Sequence, residues 1–341
     1  MTDTLARLIA FYLPQFHPIP ENDEWWGRGF TEWTNVAKSV PLFSGHYQPH
    51  LPAHLGFCDL RVPEVREKQA AFAQAHGIEA FCYWHYWFHG KRLLDRPIDE
   101  VLRSGRPDFP FCLAWANETW SRRWLGEERD ILLQQTYSAE DDRAHVDWLL
   151  DVFADPRYLR VANRPVFLVY RPGHHPDLPG LVEIFRELAA LRRQPVPYLI
   201  GVNSFHQKDW RKSGFDANVD FEPLFAMLPN PMASGLKLYD YQYSRQLMWK
   251  RSRDFPGYPC IFVSWDNTPR RGADGIVFTN SSPQAFEAEL RETVESTLDK
   301  PFDDRLVFVN AWNEWAEGNH LEPDQKHGLG YLEAVRRVNC Q

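Results

Sequence analysis

The residues best suited to chemistry are two glutamates near the end of the chain, in the run Asn313-Glu314-Trp315-Ala316-Glu317-Gly318. Paired carboxyl groups act as acid and base in glycosidic bond cleavage, and indole rings suit the apolar faces of sugars. Residues three apart on a strand point to opposite faces, so we expect a helix-like turn to bring Glu314 and Glu317 together. Gly318 would let the backbone bend away afterwards. Alternatively, the two carboxylates are structural and cap a helix or pair with arginine.

An unbroken apolar run, residues 306–309, precedes these glutamates and is typical of a strand buried on both faces of a parallel sheet. Strand-like and helix-like segments alternate along the whole chain. The pattern predicts an α/β fold, a single (β/α)8 TIM-type barrel with long strand-to-helix loops, over residues 1–341 as one catalytic domain. The predicted strands are residues 8–13, 78–88, 111–115, 165–170, 198–203, 218–221, 260–265 and the run from 306.

Polar residues lie where the apolar run of each predicted strand stops, and barrel enzymes place their active sites at these carboxyl ends. We therefore expect them to bind substrate around one rim. They are Gln15, His17, His85, Asn117, Glu118, Arg171, Asn203, Glu222, Asp266 and Asn267, together with Glu314.

The long segment 14–56 and the tryptophans supply the remaining candidate binding residues. A connection of this length inside a domain is usually functional, and this one carries Glu21, Asn22, Glu32 and several tryptophans. The chain has 14 Trp. We expect at least two of Trp25, Trp26, Trp33, Trp87 and Trp120 to form platforms for sugar rings, and Trp312 and Trp315 to flank the catalytic glutamates.

Glu118 competes with Glu317 for the role of acid, because an Asn-Glu pair at a strand end is how many barrel glycosidases present one. Alternatively, Arg122 or Arg123 holds Glu118 in an ion pair.

Other side chains leave two interpretations open. His17 and His85 either bind substrate hydroxyls or pack among aromatic residues. Arg270 or Arg271 offers a fork for an anion such as a uronate, or forms a surface salt bridge. His174 and His175 lie in a turn rich in proline and glycine and receive no function.

Composition excludes several classes of protein. A net charge of -8 gives no indication of a nucleic-acid partner, and no apolar run is long enough to span a membrane. Neither the five cysteines nor the histidines have metal-ligand spacing, so we expect no metal or other cofactor. The cysteine usage and the absence of a signal peptide indicate a cytoplasmic protein. The oligomeric state stays undetermined.

Several motifs resemble the WbsX-like family, whose domains occur in bacterial polysaccharide clusters and which is related to glycoside hydrolase family 99. They are Tyr12-Leu13-Pro14-Gln15-Phe16-His17, Glu21-Asn22-Asp23-Glu24-Trp25-Trp26-Gly27, Gly29-Phe30-Thr31-Glu32-Trp33, Tyr83-Trp84-His85-Tyr86-Trp87-Phe88, Ala114-Trp115-Ala116-Asn117-Glu118, Trp265-Asp266-Asn267-Thr268-Pro269-Arg270-Arg271 and Asn313-Glu314-Trp315-Ala316-Glu317-Gly318.

This resemblance implies distinct roles for the two glutamates. In family 99, which cleaves internal α-mannosidic bonds, the first glutamate of this motif is a base on the sugar's own 2-hydroxyl, and the second is the acid/base. The resemblance puts these roles on Glu314 and Glu317, and we expect a raised pKa for Glu317 and a lower one for Glu314. The N-terminal motifs are WbsX-like, so mannose is not carried over as the substrate.

We thus predict a retaining glycoside hydrolase acting on a complex or bacterial oligosaccharide or polysaccharide. WbsX-like proteins have also been described as glycosyltransferases, and the first alternative is a transferase in polysaccharide biosynthesis. No nucleotide-binding motif supports it. A second alternative is a barrel that binds glycans without catalysis.

Overall fold

Eight parallel strands form a barrel at the centre of the fold, as the sequence predicts. The computed structural model describes residues 4–122, 127–204, 208–231, 233–249 and 255–340. Within these residues the barrel strands are β1 Arg7–Tyr12, β2 Ile78–Phe88, β3 Phe111–Trp115, β4 Arg164–Val169, β5 Tyr198–Asn203, β6 Ala217–Asp220, β7 Cys260–Phe262 and β8 Leu306–Asn310.

The strands follow the order β6-β5-β4-β3-β2-β1-β8-β7. Each of these neighbouring pairs is joined over three to five residue pairs. A single parallel bridge between Val219 and Tyr258 closes the barrel between β6 and the segment before β7. Strand β7 is shorter than predicted. The amide of Val263 still donates to the carbonyl oxygen of Asn310 in β8, but the amide of Ser264 donates to the side chain of Asn319 instead.

Helices surround the barrel, and the long segment 14–56 contains two of them. Proline in the first turn opens several of them, including the helix that begins at Pro283, and Ser138 and Ser282 cap the helices that begin at Ala139 and Pro283 by accepting a backbone N–H. The helices are α1 Pro20–Trp26, α2 Glu32–Lys38, α3 Pro63–Ala75, α4 Arg96–Ser104, α5 Ala139–Phe153, α6 Leu178–Leu191, α7 Tyr241–Trp249, α8 Thr268–Arg271, α9 Pro283–Glu295 and α10 Gly330–Asn339. None of the described helices is long and apolar enough to cross a membrane.

Short strands outside the barrel pair locally beside it. They are Lys91–Leu93, Trp120–Arg122, Glu127–Leu133, Arg160–Val161, Lys237–Asp240, Ile276–Thr279, Asn313–Glu314 and Asn319–His320.

Aromatic side chains fill the barrel interior. Phe11 of β1 stacks on Trp84 of β2 at 5.0 Å between ring centroids, and on Phe308 of β8 at 5.6 Å. Because these rings are buried on adjacent strands, the interior is a packed core and the strand ends, with the loops beyond them, are left to form a site.

Candidate active site

The turn that carries Glu314 and Glu317 begins directly after β8. Asn313–Glu314 pairs with Asn319–His320, and a single 3-10 turn over Trp315–Glu317 joins the two short strands. This turn matches the helix-like turn expected from the sequence. Gly318 follows at φ +57°, a conformation that favours glycine, and a Cβ there would lie 2.9 Å from Cβ of Asp266.

Asp266 holds this turn from the neighbouring loop. Its backbone N–H donates to the carbonyl oxygen of Glu317 at 2.6 Å. Its carboxylate accepts from Nε2 of His46 at 2.6 Å and from Nε2 of Gln48 at 2.7 Å. The structure therefore places Asp266 behind the turn, where it supports Glu317, and not among the residues lining the cleft.

Arg270 connects three carboxylates beneath the cleft. Its Nη1 contacts Glu317 at 2.5 Å, and its Nη2 contacts Glu314 at 3.1 Å and Glu32 at 3.1 Å. The side chain of Arg270 is 8 % exposed, so the surface salt bridge considered above is excluded. Glu32 is fully buried beside it and does not reach the cleft. The carboxylates of Glu314 and Glu317, the two candidate catalytic groups, are thus held by the same guanidinium.

Burial changes the protonation of both glutamates. Burial and the charge of Glu317 raise the pKa of Glu314 to about 8, although Arg270 opposes the shift. Burial also raises the pKa of Glu317, again against the effect of Arg270. The expectation of a low pKa for Glu314 is wrong, because desolvation outweighs the guanidinium. At neutral pH the pair therefore holds a proton.

This raised pKa predicts that stability falls as pH rises. An unfolded glutamate has a pKa of about 4.3, so between about pH 5 and 8 the folded state binds more protons at Glu314. We expect the thermal midpoint of unfolding to drop by roughly 2 °C per pH unit in this window. Glu314→Gln should reduce the slope, whereas the exposed control Glu295→Gln should keep it. A wild-type midpoint that is constant across the window, measured by calorimetry, would contradict the shift.

A cleft of about 610 Å³ opens above the glutamates. The predicted residues that line it are Gln15, Asn22, Trp26, Glu118, Trp120, Arg171, Asn267, Arg270, Glu314 and Glu317. Trp26 and Trp120 are thus placed for the expected sugar platforms. The side-chain amide of Asn22 is buried and forms no hydrogen bond within the described part of the chain, which leaves it open to a ligand.

Glu118 lies in the cleft and is paired, but with a different arginine from those expected. Its Oε1 accepts from Nε of Arg171 at 2.6 Å. Arg122 instead contacts Asp130 at 2.7 Å, and Arg123 lies outside the described residues. The ion pair favours binding over proton donation for Glu118.

The predicted histidines lie away from the cleft. His17 is buried, and desolvation lowers its pKa to about 4. His85 is also buried, with its Nε2 2.9 Å from Nε2 of His145. For both histidines the structure favours packing over contact with substrate.

Trp87, one of the tryptophans expected to bind a sugar ring, donates its indole N–H to Asp141 at 2.9 Å.

Four other predicted binding residues have partners within the protein and do not line the cleft. Asn117 and Asn203 are buried amides, whereas Glu21 and Glu222 form ion pairs. Their partners are the backbone of Arg171 for Asn117, Trp210 for Asn203, Lys91 for Glu21 and Arg245 for Glu222.

Three of the four remaining tryptophans pack below the catalytic turn. The fourth, Trp25, packs against Trp120 at 5.7 Å between ring centroids and does not line the cleft. Trp312 and Trp315 are buried, and both donate their indole N–H to Glu322, at 3.0 and 2.6 Å. Trp33 packs on Trp315 at 5.3 Å between ring centroids and donates to the carbonyl oxygen of Cys58. Glu322, whose pKa burial raises to about 7, was missed by the sequence analysis because nothing in its local pattern distinguishes it.

Several residues that line the cleft were also missed. Those on strands looked like core, and His174 lay in a turn to which no function was assigned. The signal that could have found Tyr86 is its place in the aromatic cluster ending β2. Arg271, considered with Arg270 as a fork for an anion, also lines the cleft. The missed residues include Trp84, Tyr86, Tyr170, His174, Ser204 and Trp265.

Comparison with known proteins shows the family and the fold. The family model described as "Glycosyltransferase WbsX" matches residues 8–335. A protein described as "Uncharacterized protein WxcX" from Xanthomonas campestris pv. campestris is 44% identical over 98% of this chain, and the same description and identity hold for strain B100. The chain spans about half (49%) of the length of these curated relatives.

Solved structures share the barrel at low sequence identity. A GH99 endo-α-mannosidase from Bacteroides thetaiotaomicron has a TM-score of 0.59 and 12% identity, with 97% of this chain and 95% of that chain covered. A structure described as "Glycoside hydrolase-like protein" has a TM-score of 0.63 and 13% identity, with coverage of 100% and 95%.

Proposed function

The chain belongs to the WbsX glycosyltransferase family and has the fold of GH99 endo-α-mannosidases, and from this premise we propose that it hydrolyses glycosidic bonds in an oligosaccharide or polysaccharide with retention of configuration. One observation carries the proposal. Glu314 and Glu317 lie on a single turn at the base of the cleft, both contact one buried guanidinium, and together they hold a proton.

We assign the two steps of proton transfer to the two glutamates. Glu314 removes the proton of the sugar 2-hydroxyl, whose oxygen attacks C1, while Glu317 protonates the departing glycosidic oxygen. Water then attacks C1 from the face opposite O2 and opens the three-membered ring, so that configuration is retained. Glu317 takes the proton of this water, and Glu314 returns its proton to O2. Because both carboxyl groups contact Arg270 and titrate together, a proton that resides on Glu314 in the free protein can be on Glu317 when substrate is bound.

The side chains that line the cleft are of the types that bind sugars, which supports a sugar substrate. Trp26 and Trp120 offer apolar faces, whereas Gln15, Asn22 and Asn267 offer donors and acceptors for hydroxyl groups. Sugars are apolar on their faces and polar at their edges, so their binding sites alternate such groups.

A glycosyltransferase is the second candidate, and the description of the family is the observation that favours it. Such an enzyme would bring a sugar nucleotide into the same cleft and pass the sugar to an acceptor hydroxyl. The predicted cytoplasmic location would suit this reaction, because sugar nucleotides are found there.

Parallel assays distinguish these candidates. We expect bacterial polysaccharides or nitrophenyl glycosides to release a reducing sugar whose first-formed anomer, observed by proton NMR, has the configuration of the substrate. The double variant Glu314→Gln/Glu317→Gln should lack this activity. Consumption of a sugar nucleotide with transfer to an acceptor would support the transferase. Binding of oligosaccharide without turnover in either assay would support a non-catalytic barrel.

A further inference from the structure

A second cluster of ligand-forming side chains lies below the catalytic turn and outside the cleft. His50 comes from the long segment between β1 and β2, and His320 and Asp324 come from the segment after Glu317. All three are buried, and one nitrogen or oxygen atom from each lies within 4.8 Å of the others. The two histidines are 270 positions apart in the chain, so the spacing rules used on the sequence miss the cluster.

Hydrogen bonding fixes the orientation of one imidazole. Nδ1 of His320 lies 2.8 Å from the carbonyl oxygen of Glu322, which can only accept, so Nδ1 carries the proton. The lone pair of Nε2 then points at Nδ1 of His50, 2.9 Å away. A backbone carbonyl that accepts from the remote ring nitrogen is the usual support of a metal-binding histidine.

The charge of the cluster is unbalanced. Asp324 is 2% exposed, and one of its carboxylate oxygens accepts from the backbone N–H of His327 at 2.6 Å. Among the described residues no salt bridge to Asp324 is formed. A buried carboxylate without a cation is costly, and a metal ion is one of the ways in which proteins compensate it.

We propose that His50, His320 and Asp324 bind a divalent transition-metal ion of the zinc type. Two imidazole nitrogens and one carboxylate oxygen form a donor set that Zn²⁺ accepts, with water completing the shell. The ion supplies the missing positive charge and replaces the proton that would otherwise lie between the two imidazoles.

The position of the cluster indicates a structural role. His50 follows His46 and Gln48, both of which donate to the carboxylate of Asp266, and the amide of Asp266 donates to the carbonyl oxygen of Glu317. An ion that joins His50 to His320 would therefore tie the long segment to the catalytic turn on the side away from substrate. This site is independent of the proposed glycosidase reaction, which needs no metal.

The test uses the full chain after removal of metal by a chelator. Calorimetric titration with Zn²⁺ should show one ion bound per chain, and the thermal midpoint of unfolding should rise by about 4 °C at a hundredfold excess over Kd. Asp324→Asn should weaken binding at least a hundredfold. His54→Asn, which removes an exposed imidazole from the same segment, should bind as the wild type does.

Three results would overturn the proposal. The first is no binding of Zn²⁺ up to millimolar concentration. The second is unchanged binding by Asp324→Asn. The third is a thiolate charge-transfer band when Co²⁺ replaces Zn²⁺, since that band would place the ion on cysteine. If a hydrogen bond alone joins the histidines, Zn²⁺ leaves the midpoint unchanged and Asp324→Asn is at least as stable as the wild type.

Discussion

Glu317→Gln is expected to slow the cleavage of substrates with poor leaving groups by about 10²–10⁴. The loss should shrink on activated aryl glycosides, because these leave without needing a proton. Glu314→Gln should instead slow both kinds of substrate alike, since the attack on C1 is required for each. The measurement is kcat/KM for a series of aryl glycosides of graded leaving-group pKa, with Glu295→Gln as a control for the loss of an exposed carboxylate.

The same series decides between the two candidate acids. Glu118 is held by Arg171, and we expect Glu118→Gln to weaken binding without changing the dependence on the leaving group. If Glu118→Gln gives the leaving-group-dependent loss and Glu317→Gln stays fully active, the acid lies after β3 and the assignment is wrong.

Arg270→Gln is expected to destabilise the fold by about 3–5 kcal/mol, since it leaves three buried carboxylates without the cation that all of them contact. This corresponds to a fall in the thermal midpoint of about 4–7 °C. The deficit should be largest near pH 8 and should decrease toward pH 5, because protonation of Glu314 and Glu317 removes the unpaired charge.

Arg271→Gln is the matched control for this experiment. Arg271 is the next residue and lines the cleft, and it forms no ion pair with the described side chains, so its loss should change stability by less than about 0.5 kcal/mol. Equal destabilisation by the two variants, or a deficit for Arg270→Gln that grows toward low pH, would show that Arg270 does not neutralise the glutamates.

The barrel and the catalytic turn could be predicted because their causes are local. Apolar runs mark β1 to β8, and prolines and serines mark helix starts. The need to bring Glu314 and Glu317 together requires a turn that Gly318 can end. These signals lie within a few residues of the features that they predict.

The partners of the site residues could not be predicted, because they come from distant parts of the chain. Arg270 meets Glu32 across 238 positions, and Glu322 meets Gln69 across 253. The pKa of Glu314 was missed for the same reason, since desolvation depends on everything packed around the carboxyl group. Polar residues at the strand ends indicated which end of the barrel carries the cleft. Which of these side chains point into the cleft was determined by packing, which the sequence pattern does not show.

The closure of the barrel has a consequence for how a polymer could enter the cleft. Between β6 and the segment before β7, Tyr258 forms backbone hydrogen bonds in both directions: its N–H donates to Asn218 and its carbonyl accepts from Asp220. The strand pairing recorded here is the bridge between Val219 and Tyr258, whereas β1 pairs with β8 and β2 over four and five residue pairs. A shorter ladder gives this seam a low free energy of local opening, so its amides should exchange with solvent faster than those of β1 or β8. Pro223 and Phe225, which follow β6, and Trp265, which follows β7, line the cleft on this side. Spreading at the seam would widen the cleft for a branched or bulky chain while β1 and β8 keep Glu314 and Glu317 aligned.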